Sequence, residues 1–174
     1  MDFGIVLGVV SDFLEERGHR HAVIGGVALA AYGLPRTTLD LDLIVESSAQ
    51  DELISFLESR GYKTVNRLRG YSNHSHPDPL WGNIDFVYVG PETSQDLFSA
   101  SRIAEGPRGL PIRLPKPEHL AALKVVAMKN DPGRAFQDMA DIRFLLTLPG
   151  VDRYEIKDYF DRQGLRFDDL EKDA

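Results

Sequence analysis

Two aspartates separated by a single leucine, Asp40-Leu41-Asp42, are the residues of this chain whose spacing most directly suggests chemistry. On a strand, carboxylates two positions apart point the same way, about 7 Å from one another. Such a pair can share divalent ions. Hard cations such as Mg²⁺ or Mn²⁺ take oxygen ligands, and a pair of them clamps the attacking and leaving oxygens of an in-line phosphoryl displacement. Upstream, Gly25-Gly26 marks a point where backbone can approach a ligand closely, and N–H groups at a helix start suit phosphate oxygens. The same two glycines also serve a tight strand-to-helix turn. No G-x-G-x-x-G and no G-x-x-x-x-G-K-[ST] is present, so dinucleotide-binding and P-loop chemistry have no support.

These residues need elements to hold them. Leu39 to Val45 alternates, with Leu39, Leu41, Leu43 and Val45 on one face and Asp40, Asp42 and Ile44 on the other, which predicts a strand with two acids side by side. His21 to Ile24 reads as a short strand that runs through the glycines into a helix over Val27 to Tyr32, closed by Gly33. Phe3 to Arg17 is an amphipathic helix, and Ser48 and Asp51 suggest a capping box for a helix ending at Gly61. Tyr62 to Leu68 and Ile84 to Val89 are further strands. Arg69 to Gly82, rich in Gly, Ser, Asn, His and Pro, is predicted as a long loop. A weaker helix over Ser94 to Ala104 and a strand over Leu110 to Leu114 follow. Beyond Pro115-Lys116-Pro117 the spacing becomes helical: one helix to about Asn130, one from Arg134 to Leu148, one from Asp152 to Gln163, then an acidic tail. The expectation is an α/β (α+β) chain. Residues 1–115 form a mixed sheet flanked by helices, and residues 116–174 form a helical region packed on it as one compact unit.

Composition sets the outer limits. The 174 residues, 43% hydrophobic and 27% charged, suffice for a sizeable core. With no cysteine there is no disulfide framework or zinc-thiolate site, and the reducing cytoplasm is the expected compartment. No apolar run approaches the roughly 20 residues that span a bilayer, so no membrane partner is expected. A net charge of −7 opposes extended contact with a phosphate backbone, although Lys63, Arg67 and Arg69, or Arg102, Arg108, Arg113 and Lys116, could make a local basic groove. His74 and His76 lie in the predicted loop without further ligands at metal-binding spacing. Trp81 in the same loop reads as an anchor, or as a platform for a base or sugar.

Ile24-Gly25-Gly26 followed by Arg36-Thr37-Thr38-Leu39-Asp40-Leu41-Asp42-Leu43 resembles the signature of the DNA polymerase β-like nucleotidyltransferase superfamily. Within it, the Gly-Gly, the following Ala-Leu-Ala-Ala-Tyr-Gly and the Arg-Thr-Thr-Leu-Asp-Leu-Asp are similar to the abortive-infection (AbiEii-type) toxin nucleotidyltransferases of bacterial type IV toxin–antitoxin systems. The resemblance covers roughly Val23 to Leu146. It implies a nucleotidyltransferase fold in which Asp40 and Asp42 bind the metals. A third carboxylate on a neighbouring strand, matched by Asp85 in Asn83-Ile84-Asp85-Phe86-Val87, joins them and helps to deprotonate an acceptor hydroxyl. The toxin relatives carry a lysine on the first helix after the sheet and an aspartate-rich motif on the next. Lys124 and Asp138-Met139-Ala140-Asp141 match these, with Lys124 facing NTP phosphates and Asp138 or Asp141 orienting it. Gln137 departs from the basic residue those relatives often place before the first aspartate, and Arg134 with Asp138 also makes an ordinary i,i+4 pair. Arg36 and Thr38 flank the acidic strand, where they touch phosphate or shape the covering loop.

The resulting expectation is an NTP-dependent, Mg²⁺-requiring enzyme that transfers a nucleoside monophosphate and releases pyrophosphate. Its acceptor is RNA, a protein side chain or a small molecule, and a cognate antitoxin is its partner if the toxin resemblance holds. Two alternatives use the same residues: an inactive nucleotidyltransferase-fold binding module, and a small antibiotic-modifying nucleotidyltransferase. A metal-dependent glycosyltransferase also uses Asp-X-Asp, but this chain is short for that fold.

Overall fold

The computed structural model describes residues 1–35 and 37–167. Its contacts separate into two compact units, the first ending at Pro115 and the second beginning at Lys116. No helix among the described residues is long and apolar enough to cross a membrane.

The first unit opens with α1 (Phe3–Glu16), capped by Asp2, whose carboxylate accepts from the Ile5 N–H. Its buried stripe of Val6, Leu7, Val10, Phe13 and Leu14 follows helical spacing. β1 (His21–Val23) leads through Ile24 into the short α2 (Gly25–Ala31). β2 (Asp40–Glu46) is followed by α3 (Gln50–Ser59), entered through a 3₁₀ turn rather than a side-chain capping box. Phe13 of α1 stacks on Phe56 of α3 with ring centroids 3.9 Å apart.

The segment predicted as a loop from Arg69 to Gly82 is instead partly strand. β3 (Lys63–Leu68) turns back into β4 (Tyr71–Ser75), and β5 (Asn83–Val89) completes a mixed five-stranded sheet of order β1-β2-β5-β4-β3. β2 and β5 are parallel, and the other neighbours are antiparallel. The predicted helix over Ser94 to Ala104 also resolves differently. Pro91 at the first helical position starts α4 (Pro91–Ser99) earlier, and the chain then pairs β6 (Arg102–Glu105) with β7 (Pro111–Leu114) as a separate two-stranded sheet.

The large sheet has unlike faces. Leu41, Leu43, Val45, Ile84, Phe86, Tyr88, Ser72 and His74 are buried on one side. On the other, β2 is half-exposed at Asp40, Asp42 and Glu46 and buried at Ile44. Leu39, expected to share the buried face, lies outside the strand with 77% of its surface exposed.

The second unit consists of α5 (Pro117–Asn130), α6 (Ala135–Leu146) and α7 (Arg153–Gln163). Asp152 caps α7 by accepting from the N–H groups of Tyr154 and Glu155, and Gly164, at φ 65°, ends it. Buried Glu118 of α5 accepts from the Asp152 N–H at 2.7 Å, fixing the start of α7. The acidic tail expected after α7 lies outside the described residues.

Candidate active site

Parallel pairing of β2 with β5 sets Asp42 directly opposite Asp85 and Asp40 opposite Asn83. Paired positions in neighbouring strands share a face, and so do positions two apart, so Asp40, Asp42 and Asp85 lie on the same half-exposed side of the sheet. Asp40 and Asp85 are each met by a neighbour. Asn83 donates its amide to Asp40 at 3.0 Å, and the Tyr71 hydroxyl donates to Asp85 at 2.7 Å.

Gly25 is where the chain closes over this face. The Ile24 N–H donates to the Asp42 carbonyl at 3.0 Å, extending the β1–β2 pairing and bringing the next residue against Asp42. Gly25 has φ +61°, a conformation unfavourable to L side chains, and a Cβ there would stand 2.0 Å from the Asp42 Oδ2. Glycine is therefore required twice over at this position. Gly26 is required for another reason: its Cβ would meet the Thr38 Cβ at 2.6 Å, so it faces the loop leading into β2. The Thr38 hydroxyl donates to the Asp40 carbonyl at 3.1 Å and fixes that loop where the acids begin. Arg36 lies outside the described residues.

The donor chemistry fits a hard divalent cation: the group is all carboxylate, and the bare backbone of Gly25 lets the Asp42 carboxylate sit where a Cβ would otherwise collide with it. Among the described residues no three Asp, Glu or His side chains are gathered closely enough to form a ready-made metal cage.

In the second unit the three polar residues singled out in the sequence do come together. Lys124 of α5 lies 3.0 Å from Asp138 and 2.6 Å from Asp141 of α6, and all three are buried. The exposed Arg134 reaches Asp138 at 3.5 Å, so the i,i+4 pair forms, with one partner in the interior. Two carboxylates around one lysine satisfy its charge within the unit.

His74, expected in a loop near the acceptor, projects from β4 on the buried face, the side opposite the acids. Its Nδ1 lies 3.3 Å from the Thr64 hydroxyl, which donates to Glu58, and its Nε2 lies 2.9 Å from the Ser72 hydroxyl, itself 2.8 Å from the Tyr88 hydroxyl. Burial pushes the imidazole down to about 4 and the Tyr88 phenol up to about 12. His76 hydrogen-bonds the Arg60 carbonyl. Trp81 packs edge-on to Tyr62, whose hydroxyl donates to the Trp81 carbonyl, in the anchoring role.

Tyr71, Asn73 and Asn83 are the site neighbours that the sequence reading left out. Asn83 stands two residues before Asp85, on the same face by strand alternation, and could have been read there. Tyr71 and Asn73 were hidden because β4 carries no apolar alternation.

No protein-family model matches the chain, and no curated protein matches its sequence. Solved structures do resemble it. The solution structure of the antibiotic-resistance factor ANT(2'')-Ia superposes with a TM-score of 0.70 at 17% identity, covering 98% of this chain and 97% of that one. The crystal structure of ANT(2'')-Ia in complex with adenylyl-2''-tobramycin gives 0.66 at 17%, covering 92% and 97%. This chain has the nucleotidyltransferase fold. A further nucleotidyltransferase, the lincosamide antibiotic adenylyltransferase LnuA with lincomycin bound, matches at a TM-score of 0.54 and 17% identity over 82% of this chain and 95% of its own. In this nucleotidyltransferase fold, the β2–β5 pair and the turn after β1 bring the acids and Gly25 together.

Proposed function

We propose that this chain is a nucleotidyltransferase that moves a nucleoside monophosphate from an NTP onto a hydroxyl of a small-molecule acceptor. The observation that carries the reading is the in-register pair of Asp42 and Asp85 on a half-exposed face, with Asp40 beside them and the Gly25 backbone pressed against Asp42. Asp40, Asp42 and Asp85 would hold divalent Mg²⁺ or Mn²⁺, which supplies charge stabilisation to the phosphate oxygens.

Asp85 accepts the proton of the acceptor hydroxyl. The hydroxyl oxygen bonds to the α-phosphorus, the bond from that phosphorus to the bridging oxygen breaks, and pyrophosphate leaves with the electron pair. The Gly25-Gly26 backbone and Thr38 shape the nucleotide side of the site.

A small acceptor is favoured over a long nucleic acid on two grounds. The net charge of −7 opposes an extended phosphate backbone. ANT(2'')-Ia also matches nearly end to end, so this chain is of a size with an enzyme seen with adenylylated tobramycin. The buried Lys124–Asp138–Asp141 group supports a second reading, the toxin of a type IV toxin–antitoxin pair acting on RNA, because it matches the motif those relatives carry.

The test is transfer of α-labelled NTP in Mg²⁺ to tobramycin, to lincomycin and to total RNA. Labelled antibiotic supports the first reading and labelled RNA the second. With no transfer to any acceptor and no metal-dependent nucleotide binding, the protein is an inactive binding module.

A further inference from the structure

The acid-bearing face has a second row, contributed by β4. Antiparallel pairing sets Asn73 directly opposite Asp85, and Tyr71, two residues away, shares the same face. The Asn73 Oδ1 is buried, yet it has no hydrogen-bond partner among the described residues. A buried acceptor without a donor is a costly arrangement, and one that a bound group can repair.

The neighbouring donors are already committed: Tyr71 gives its hydroxyl hydrogen to Asp85, and Asn83 gives its amide to Asp40. In the proposed reaction Asp40, Asp42 and Asp85 serve the metal ions and the incoming hydroxyl, so the Asn73 Oδ1 is the acceptor left for the occupant, and beside three acids a donor that carries positive charge suits it best. We infer that Asn73 is a specificity-determining residue of the acceptor site, its Oδ1 accepting a hydrogen bond from an amine of an amine-bearing polyol whose hydroxyl is delivered to Asp85. The inference rests on the transferase reading and adds to it the residue that selects the acceptor.

The experiment is calorimetric titration of the full chain, without nucleotide, with tobramycin as the amine-bearing probe and maltotriose as a neutral sugar of similar size. The parent binds tobramycin and not maltotriose. Asn73→Leu, which keeps the bulk and removes the acceptor, weakens tobramycin at least about tenfold and leaves ATP affinity unchanged, since the loss falls on the acceptor's hydrogen bond alone. Asn73→Asp, which keeps an acceptor atom in place, binds tobramycin at least as tightly as the parent and serves as the rescue, also if the leucine variant does not fold.

A parent that does not prefer tobramycin overturns the inference, as does a leucine variant that binds like the parent or an aspartate variant that binds more weakly. Transfer of labelled AMP, followed in parallel, separates the two claims. Transfer with tobramycin affinity indifferent to Asn73 rejects Asn73 and leaves the transferase standing. Affinity that depends on Asn73 without any transfer rejects the transferase and leaves the acceptor contact standing.

Discussion

The two faces of the central sheet are built from the same strands, yet they treat polar groups in opposite ways. On the buried face Ser72, His74 and Tyr88 join Thr64 and Glu58 in a continuous hydrogen-bonded chain, with each hydroxyl and ring nitrogen given a partner. On the half-exposed face Asp40, Asp42 and Asp85 stand at neighbouring register positions, and the Asn73 Oδ1 has no hydrogen-bond partner among the described residues. A closed network satisfies itself and contributes to stability. An acceptor left without a donor keeps hydrogen-bonding capacity for a ligand to use. Polarity on a strand is thus no sign of function by itself; what matters is whether the fold completes the hydrogen bonds.

The contrast is tested most severely at Asp42. Asp42→Asn keeps the shape and removes a charge from the open face, and it is expected to lower transfer by roughly 10³-fold, or about 4 kcal/mol of transition-state stabilisation. Folding should survive, because relieving repulsion among neighbouring carboxylates costs the metal-free protein nothing. Thermal melting checks this: Mg²⁺ with NTP should raise the parent's Tm and raise the variant's much less. An equal rise in both would show that Asp42 is not a ligand.

On the closed face the corresponding lever is acid. His74 titrates near 6.5 when unfolded and about 4 when folded, because burial disfavours its charged form. Between those values the unfolded chain binds the extra proton. The contribution to stability is therefore fully present above about pH 6.5 and is lost as pH falls toward 4, by about 3 kcal/mol. Urea unfolding of the parent and of His74→Gln at pH 7 and pH 4.5 isolates this term. The same loss in both proteins would remove His74 as its source.

Gly25 tests the junction where backbone meets the open face. Gly25→Ala forces a side chain into a positive φ and against Asp42, so a stability loss of about 2 kcal/mol is expected together with a fall in transfer. A variant as stable and active as the parent would show that the turn relaxes without disturbing Asp42. The smallest effect is expected from Tyr88→Phe, which removes one hydrogen bond from the buried chain while Ser72 keeps His74. About 1 kcal/mol should be lost with transfer unchanged. A large fall in activity would mean that the two faces are coupled.

Much of this was legible beforehand, for identifiable reasons. β2 and β5 alternate apolar and polar residues, so strand character and the shared face of Asp40 and Asp42 follow from a period of two. The Gly25-Gly26 break and the helical spacing of the second unit are likewise local. β4 was missed because Tyr71-Ser72-Asn73-His74-Ser75 buries serine and histidine where the pattern requires aliphatic residues, and only hydrogen bonds with Thr64 and Tyr88 make that burial tolerable. The extension of helical character through Ala104 failed because Ile103 and Ala104 are claimed by pairing with Arg113 and Ile112, distant in sequence.

The sequence by itself determined which segments could be strands or helices, and that two acids would share a strand face, because both depend on backbone periodicity within a few residues. Only the tertiary structure decided that Asp85 stands opposite Asp42, that Gly25 closes against that carboxylate, and that Tyr71, Asn73 and Asn83 surround the acids. Strand order and register bring those groups together, and they are set by which faces the folded chain can bury together, a property of the whole sheet.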